Sequence, residues 1–166
     1  MGAVQVQVCT GARMLDVMCN GQVMPPENGI CRFIDQKVKD MTFKEGQEFK
    51  IRVKPKDDCT CFSINIGHDS DNLALHFNPR FDYGGDSNTL VFNSLSGGCW
   101  GDEHRDGNFP FSRGEESKFY INFNSEQFYI KLPDGSMTNF PNRLGDVKYK
   151  YFDVSGDARI IGIKIK

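Results

Sequence analysis

The run His76–Phe77–Asn78–Pro79–Arg80–Phe81 sets hydrogen-bonding groups at alternate positions. On an extended strand His76, Asn78 and Arg80 share one face, while Phe77 and Phe81 take the other. Neighbours in that polar row stand about 6.5–7 Å apart, enough to span a sugar ring. Imidazole and carboxamide both donate and accept, whereas guanidinium only donates, in a fixed fork. A hydroxyl also does both, so the mixture suits a polyol better than a phosphate. Pro79 lacks a ladder donor, which places it at a sheet edge or a bulge. An exposed edge strand with solvated side chains is therefore an equal reading of these six residues alone.

The stretch from Asn93 to Arg105 tips that balance. It contains Ser94–Leu95–Ser96–Gly97–Gly98–Cys99–Trp100–Gly101–Asp102–Glu103–His104–Arg105, with the only tryptophan of the chain. A tryptophan of a β-sandwich is ordinarily a core residue, but glycine on both sides lets this indole sit on a turn and face a cleft. Its electron-rich face, bringing about 150–250 Å² of contact area, suits the weakly polarised C–H groups on one side of galactose. Glu103 and Arg105 alternate with His104 and face one way if the segment is extended. Glu103 would then accept from sugar hydroxyls while Arg80 and Arg105 hold it, which lowers the ordering cost of binding. The plainer alternative is a surface ion pair worth under about 1 kcal/mol.

Strands must position these groups, and the pattern predicts strands. From about residue 33 the sequence is two-periodic. Phe49, Ile51 and Val53 alternate with Lys50, Arg52 and Lys54. Phe62, Ile64 and Ile66 repeat the design, as do Leu73, Leu75 and Phe77, and then Phe119, Ile121 and Phe123. Asn124–Ser125–Glu126 and Pro133–Asp134–Gly135–Ser136 are turn signals. Nine or more short strands and no convincing helix predict an all-β fold, a two-sheet antiparallel β-sandwich of jelly-roll type. Residues 30–166 read as one domain. Residues 1–29 read as an N-terminal extension, loosely ordered or artificially appended, with Val4, Val6 and Val8 alternating before the period fades.

Composition narrows the classes. With 25% charged residues and a net charge of −2, no global field favours nucleic acid or an anionic membrane. No stretch is apolar enough to span a bilayer, and the amino terminus lacks a basic segment followed by an apolar one. The 6 cysteines show no paired metal-ligand spacing, and Cys59 and Cys61 are poorly placed to bridge each other. They read as free thiols of a reducing compartment. Neither a metal nor another cofactor is expected.

His76-x-Asn78-x-Arg80, then Asn93, then Trp100-x-x-Glu103-x-Arg105, resembles the galectin carbohydrate-recognition signature. Ser63–Ile64–Asn65–Ile66–Gly67, Asp71–Asn72–Leu73, Asn108–Phe109–Pro110–Phe111 and Phe140–Pro141–Asn142–Arg143 are also similar to segments of that family. The resemblance runs from about Met41 to the end and is nearest to the single-domain, proto-type members. It implies a galectin/legume-lectin-like sandwich and calcium-independent binding of β-galactosides such as lactose or N-acetyllactosamine on glycoproteins or glycolipids. His76, Asn78 and Arg80 would contact the axial galactose hydroxyl. Asn93 would hold the exocyclic hydroxyl, Glu103 the adjacent sugar with Arg105 behind it, and Trp100 the stacked ring face. It also implies a cytoplasmic protein exported by a non-classical route, and a homodimer through terminal strands. The doublet Ile160–Ile161 fits the dimer by placing apolar side chains on both faces of the last strand.

One departure stands out. Family members often carry a histidine in the stretch after Arg80–Phe81, where this chain has Asp82–Tyr83–Gly84–Gly85. Contacts to the second sugar are therefore open, with Tyr83 a candidate substitute by stacking. Two other classes remain at this stage. A glycosidase would need two carboxyl groups about 5–9.5 Å apart, for which Asp102, Glu103 and Asp106 are the candidates. An adaptor that has lost sugar binding is the other, although all seven signature positions are filled.

Overall fold

Alternation of apolar and polar side chains builds the long strands, and the apolar halves meet between two sheets. The structure, a computed structural model, describes residues 41–166 and, before them, residues 6–9, 18–19, 22–23 and 35–38. In chain order the first strands are β1 (Val6–Cys9), β2 (Met18–Cys19), β3 (Gln22–Val23), β4 (Asp35–Val38), β5 (Phe43–Lys44) and β6 (Phe49–Pro55). Next come β7 (Phe62–Asp69), β8 (Asn72–Tyr83), β9 (Asp86–Ser96), β10 (Cys99–Trp100) and β11 (His104–Asp106). The last are β12 (Ser117–Phe123), β13 (Gln127–Lys131), β14 (Met137–Pro141), β15 (Lys148–Tyr149), β16 (Tyr151–Gly156) and β17 (Ala158–Ile165). No helix occurs among the described residues.

One large sheet has the order β1-β4-β16-β7-β8-β9-β10, with β11 also on β9, a second has β14-β13-β12-β6-β17, and β15-β5 and β2-β3 form two small ribbons. Every ladder in them is antiparallel. Phe49, Ile51 and Val53 of β6 are fully buried, and so are Ile64 and Ile66 of β7, Phe77 of β8 and Phe92 of β9. Phe77 stacks on Phe92 at 4.9 Å and meets Phe119 of the opposite sheet edge-on at 5.7 Å. Each such buried ring contributes roughly 1.5–3 kcal/mol by leaving water. The two-sheet antiparallel sandwich expected from the sequence is present.

Two local expectations need correction. Pro79 does not mark an edge strand: β8 lies inside its sheet, between β7 and β9. The ladder to β7 reaches Ile64↔Phe77, and contact resumes as a single bridge at Cys61↔Arg80, so the proline falls in the gap. There its missing N–H costs the sheet no bond on that side. The Ile160–Ile161 doublet also has a local cause. The β17–β6 register shifts between Ile160 and Gly162, so Ile161 is the extra residue of a bulge.

Of residues 1–29, Val6–Cys9 pairs with Asp35–Val38, and Met18–Cys19 pairs with Gln22–Val23. The rest of that expected extension, and its boundary at residue 30, lie outside the described residues. Cys59 and Cys61 are buried, and Cys99 is half-buried.

Candidate functional site

Two glycine turns set the register of the site. Gly84 and Gly85 (φ 60° and 83°) join β8 to β9 as a tight hairpin of the kind that needs positive φ at both central residues. Tyr83 therefore faces Asp86, and counting back puts Arg80 opposite Thr89, Asn78 opposite Val91 and His76 opposite Asn93. Gly97 and Gly98 (φ 58° and 77°) make a second such turn, which folds β10 onto β9 with Trp100 opposite Leu95. On the other flank His76 faces Asn65 of β7, and Asn65 faces Asp153 of β16. Asn93, His76, Asn65 and Asp153 thus form one polar row across four strands.

Trp100 is 41% exposed and meets the His76 ring edge-on, with centroids 4.7 Å apart. The indole stands beside the polar row and outside the core.

Next to it lies a closed loop of charge. Arg80 Nη1 donates to Asp86 Oδ2 at 2.9 Å, and Arg80 Nη2 lies 3.6 Å from Glu103 Oε1. Arg105 Nη2 reaches Glu103 Oε2 at 2.6 Å, while its Nε donates to Asp86 Oδ1 at 3.0 Å. Arg80 Nε also donates to Asn78 Oδ1 at 2.8 Å, and Asn78 Nδ2 donates to the Phe62 carbonyl at 2.7 Å. Hydrogen bonds from Arg105, with the charges of Arg105 and Arg80, hold the Asp86 carboxyl below the usual carboxylate range despite its burial. Its hydrogen bonds to Asp86 and Glu103 hold the Arg105 guanidinium above its ordinary value. The face so built has fixed donors and acceptors and little freedom to lose on binding.

His76 is half-buried, and burial followed by the nearby Arg80 charge pushes its pKa down to about 4. At neutral pH it is an uncharged imidazole, able to accept as well as donate. Asn93 is held by its Nδ2 donating to the Gly101 carbonyl at 3.0 Å and by its Oδ1 accepting from the Ser94 amide at 2.8 Å. A Cβ at Gly101 would stand 2.8 Å from the end of the flexible Arg143 side chain and 3.4 Å from Asn93 Oδ1, so a larger residue here would press on Arg143 first. All seven residues singled out from the sequence come together: His76, Asn78, Arg80, Asn93, Trp100, Glu103 and Arg105.

Residues 35–165 match the family model of the galactoside-binding lectins. The chain belongs to that family, the galectins. The beta-galactoside-binding lectin of Electrophorus electricus is 50% identical over 126 residues, 76% of this chain and 93% of the relative. Congerin II, solved with lactose and MES, superposes with a TM-score of 0.76 at 36% identity, covering 78% of this chain and 98% of that one. CG-16, a homodimeric agglutinin from chicken liver, gives 0.76 at 40% identity, covering 80% and 99%.

Within this galectin the sequence reading missed four functional groups. Asp86 closes the charge loop, and the Gly84–Gly85 hairpin register was the signal for it. Arg143 donates to Ser94 Oγ at 3.1 Å, Asn93 Oδ1 at 3.3 Å and the Asp102 carbonyl at 2.9 Å, pinning the Trp100 loop. Asn65 and Asp153 stand behind His76, and only the strand order reveals them. Tyr83 lies under the Arg80 guanidinium at 5.2 Å, where the sequence lacks the family's histidine.

Proposed function

We propose that this galectin binds β-galactosides of the lactose and N-acetyllactosamine type, without a metal ion. One observation carries the reading: the half-exposed Trp100 ring stands directly against the row of His76, Asn78 and Arg80. Such a corner offers an apolar face to one side of a pyranose and fixed polar groups to its hydroxyls. His76, Asn78 and Arg80 take the axial hydroxyl, Asn93 the exocyclic one, and Glu103 with Arg105 the neighbouring sugar. Lactose in the congerin II structure supports the ligand class. Tyr83, stacked on Arg80, lines the second-sugar end in place of the missing histidine.

The same charges support binding without hydrolysis. A glycosidase acid needs a raised pKa. Here Asp86 is pushed down, and Glu103 lies between two guanidiniums. A shallow site of this kind binds at roughly 10⁻³ to 10⁻⁵ M, so useful avidity needs a second site. The homodimeric chicken agglutinin supports a dimer. Among the described residues β17 ends its sheet beside β6, and it is the edge we assign to pairing. Residues 1–29 are taken as an extension of the domain at 30–166. We assign synthesis to the cytoplasm, with export by a non-classical route.

The test is retention on lactose-agarose, elution by free lactose, and assay of the eluate for released galactose. Retention without release is expected. Passage through the column unretained would end the reading.

A further inference from the structure

We propose that Asp153 is a positioning residue for sugar recognition, orienting the Asn65 carboxamide and through it fixing the tautomer of His76. The consequence for sugar rests on the galactoside reading above, whereas the geometry does not.

The three side chains lie in one cross-strand row on β8, β7 and β16, and both Asn65 and Asp153 are buried. A carboxylate only accepts hydrogen bonds. Asp153 Oδ1 accepts from Asn65 Nδ2 at 2.6 Å and from Ser155 Oγ at 2.9 Å, and its Oδ2 accepts from the Tyr151 hydroxyl at 2.6 Å. Turning the amide over would bring the Asn65 oxygen against this carboxylate, oxygen to oxygen, in a buried place. The amide nitrogen is therefore committed to Asp153, and Asn65 Oδ1 faces His76 Nδ1 at 2.6 Å. An oxygen at that distance requires the N–H to be on Nδ1. Neutral imidazole carries one N–H, so Nε2 keeps its lone pair.

The outcome is a specific pattern of groups. Arg80 can only donate, and an Nε2 that also donated would leave a ligand hydroxyl with no acceptor among the two. With Nε2 as acceptor, one hydroxyl gives its proton to His76 and accepts from the guanidinium. Asp153 thus selects for a hydroxyl without touching the ligand, and its own neighbours Tyr151 and Ser155 keep it in place.

Nitrogen-15 NMR of the histidine rings in the ligand-free full chain reads the tautomer directly, with His76 assigned by the signals lost in His76→Gln. The wild type is expected to carry its proton on Nδ1. Asp153→Ala should show mixed tautomers and roughly tenfold weaker lactose binding, about 1.4 kcal/mol. Asp153→Asn, which still offers Asn65 an oxygen, should restore most of both. If Asp153→Ala fails to fold, Asp153→Ser, too short to reach Asn65, takes its place with the same outcomes. A wild-type proton on Nε2, or an unchanged tautomer in Asp153→Ala whatever the affinity, overturns the inference. A wild type with the stated tautomer that binds no galactoside overturns the galactoside reading, and with it the consequence for sugar.

Discussion

The polar face of β8 and the outer face of β6 are written with the same alternation, yet they hold their charges in opposite ways. On β8 and its neighbours, Asn78, Arg80, Asn93, Asn65 and Asp153 are all buried, and each has a hydrogen-bond partner of fixed geometry. On the other sheet Lys50 faces Lys164, Lys54 faces Arg159 and Arg52 faces Lys118. Like charges directly opposite one another cost stability. That face bears the cost because water screens it, as its half-exposed Arg52–Glu116 pair illustrates. Alternation alone therefore marks a wet face. Desolvation and complementary pairing separate a binding face from a solvated one.

The sharpest way to break the comparison is to remove the same chemistry from both faces. Arg80→Ala should weaken lactose binding by more than about 100-fold, a loss of at least about 2.7 kcal/mol. It should also lower unfolding stability by about 1.5 kcal/mol, because Asp86 loses one charged hydrogen bond while Arg105 still holds it. Lys118→Ala should leave affinity alone and shift stability by less than about 0.5 kcal/mol. Calorimetric titration with lactose and urea unfolding measure both. Equal effects from the two variants would erase the distinction between the faces.

Trp100→Ala comes next. The exposed indole packs on the ligand and contributes little to the core, so affinity should fall by roughly 30-fold, about 2 kcal/mol, with the urea midpoint nearly unchanged. A large drop in stability instead would return the ring to a structural role.

These two residues were legible in the sequence, and the reason is local. His76, Asn78 and Arg80 share a face by strand periodicity, and the Gly97–Gly98 turn folds Trp100 back beside β9. Both facts need only a few consecutive residues. Asp86 was within reach, since a two-residue Gly84–Gly85 hairpin fixes which residues return beside Arg80. Asn65, Asp153 and Arg143 were not, because their positions depend on β16 lying beside β7 and on the loop after β14 returning to β9. Those are long-range choices of strand order, and no local pattern encodes them. Pro79 misled for the same reason: it marks a missing bond on one side, which an edge and a gap in an interior ladder satisfy equally.

Acid separates stability from binding. The folded His76 has its pKa pushed down from 6.5 to about 4, so the unfolded chain takes up that proton first. The stability it contributes is present above about pH 6.5 and is lost as the pH falls toward 4. The depressed Asp86 adds a loss that continues through its own lower value. Lactose affinity of the folded protein should hold until pH approaches 4, then fall by about tenfold for the next unit as Nε2 is protonated. Urea midpoints and tryptophan-fluorescence titrations over the same buffers measure the two curves. Affinity that falls near pH 6.5 would place His76 in water.

The smallest effect probes the outer face itself. Lys50 faces Lys164 across the β6–β17 ladder and Tyr120 across the β6–β12 ladder. Lys50→Glu replaces one cross-strand repulsion by an attraction and should stabilise the protein by about 0.5 kcal/mol at low salt. Glu48 lies two residues away on the same face and offsets part of the gain. At about 1 M salt the screening length shrinks to about 3 Å, and the gain should vanish. Lactose affinity should not move at either salt, because the sandwich core separates this face from the site. A gain that survives high salt would mean that strand propensity, and not charge, sets the stability of this face. Under that result the contrast between the two sheets would lie in packing alone.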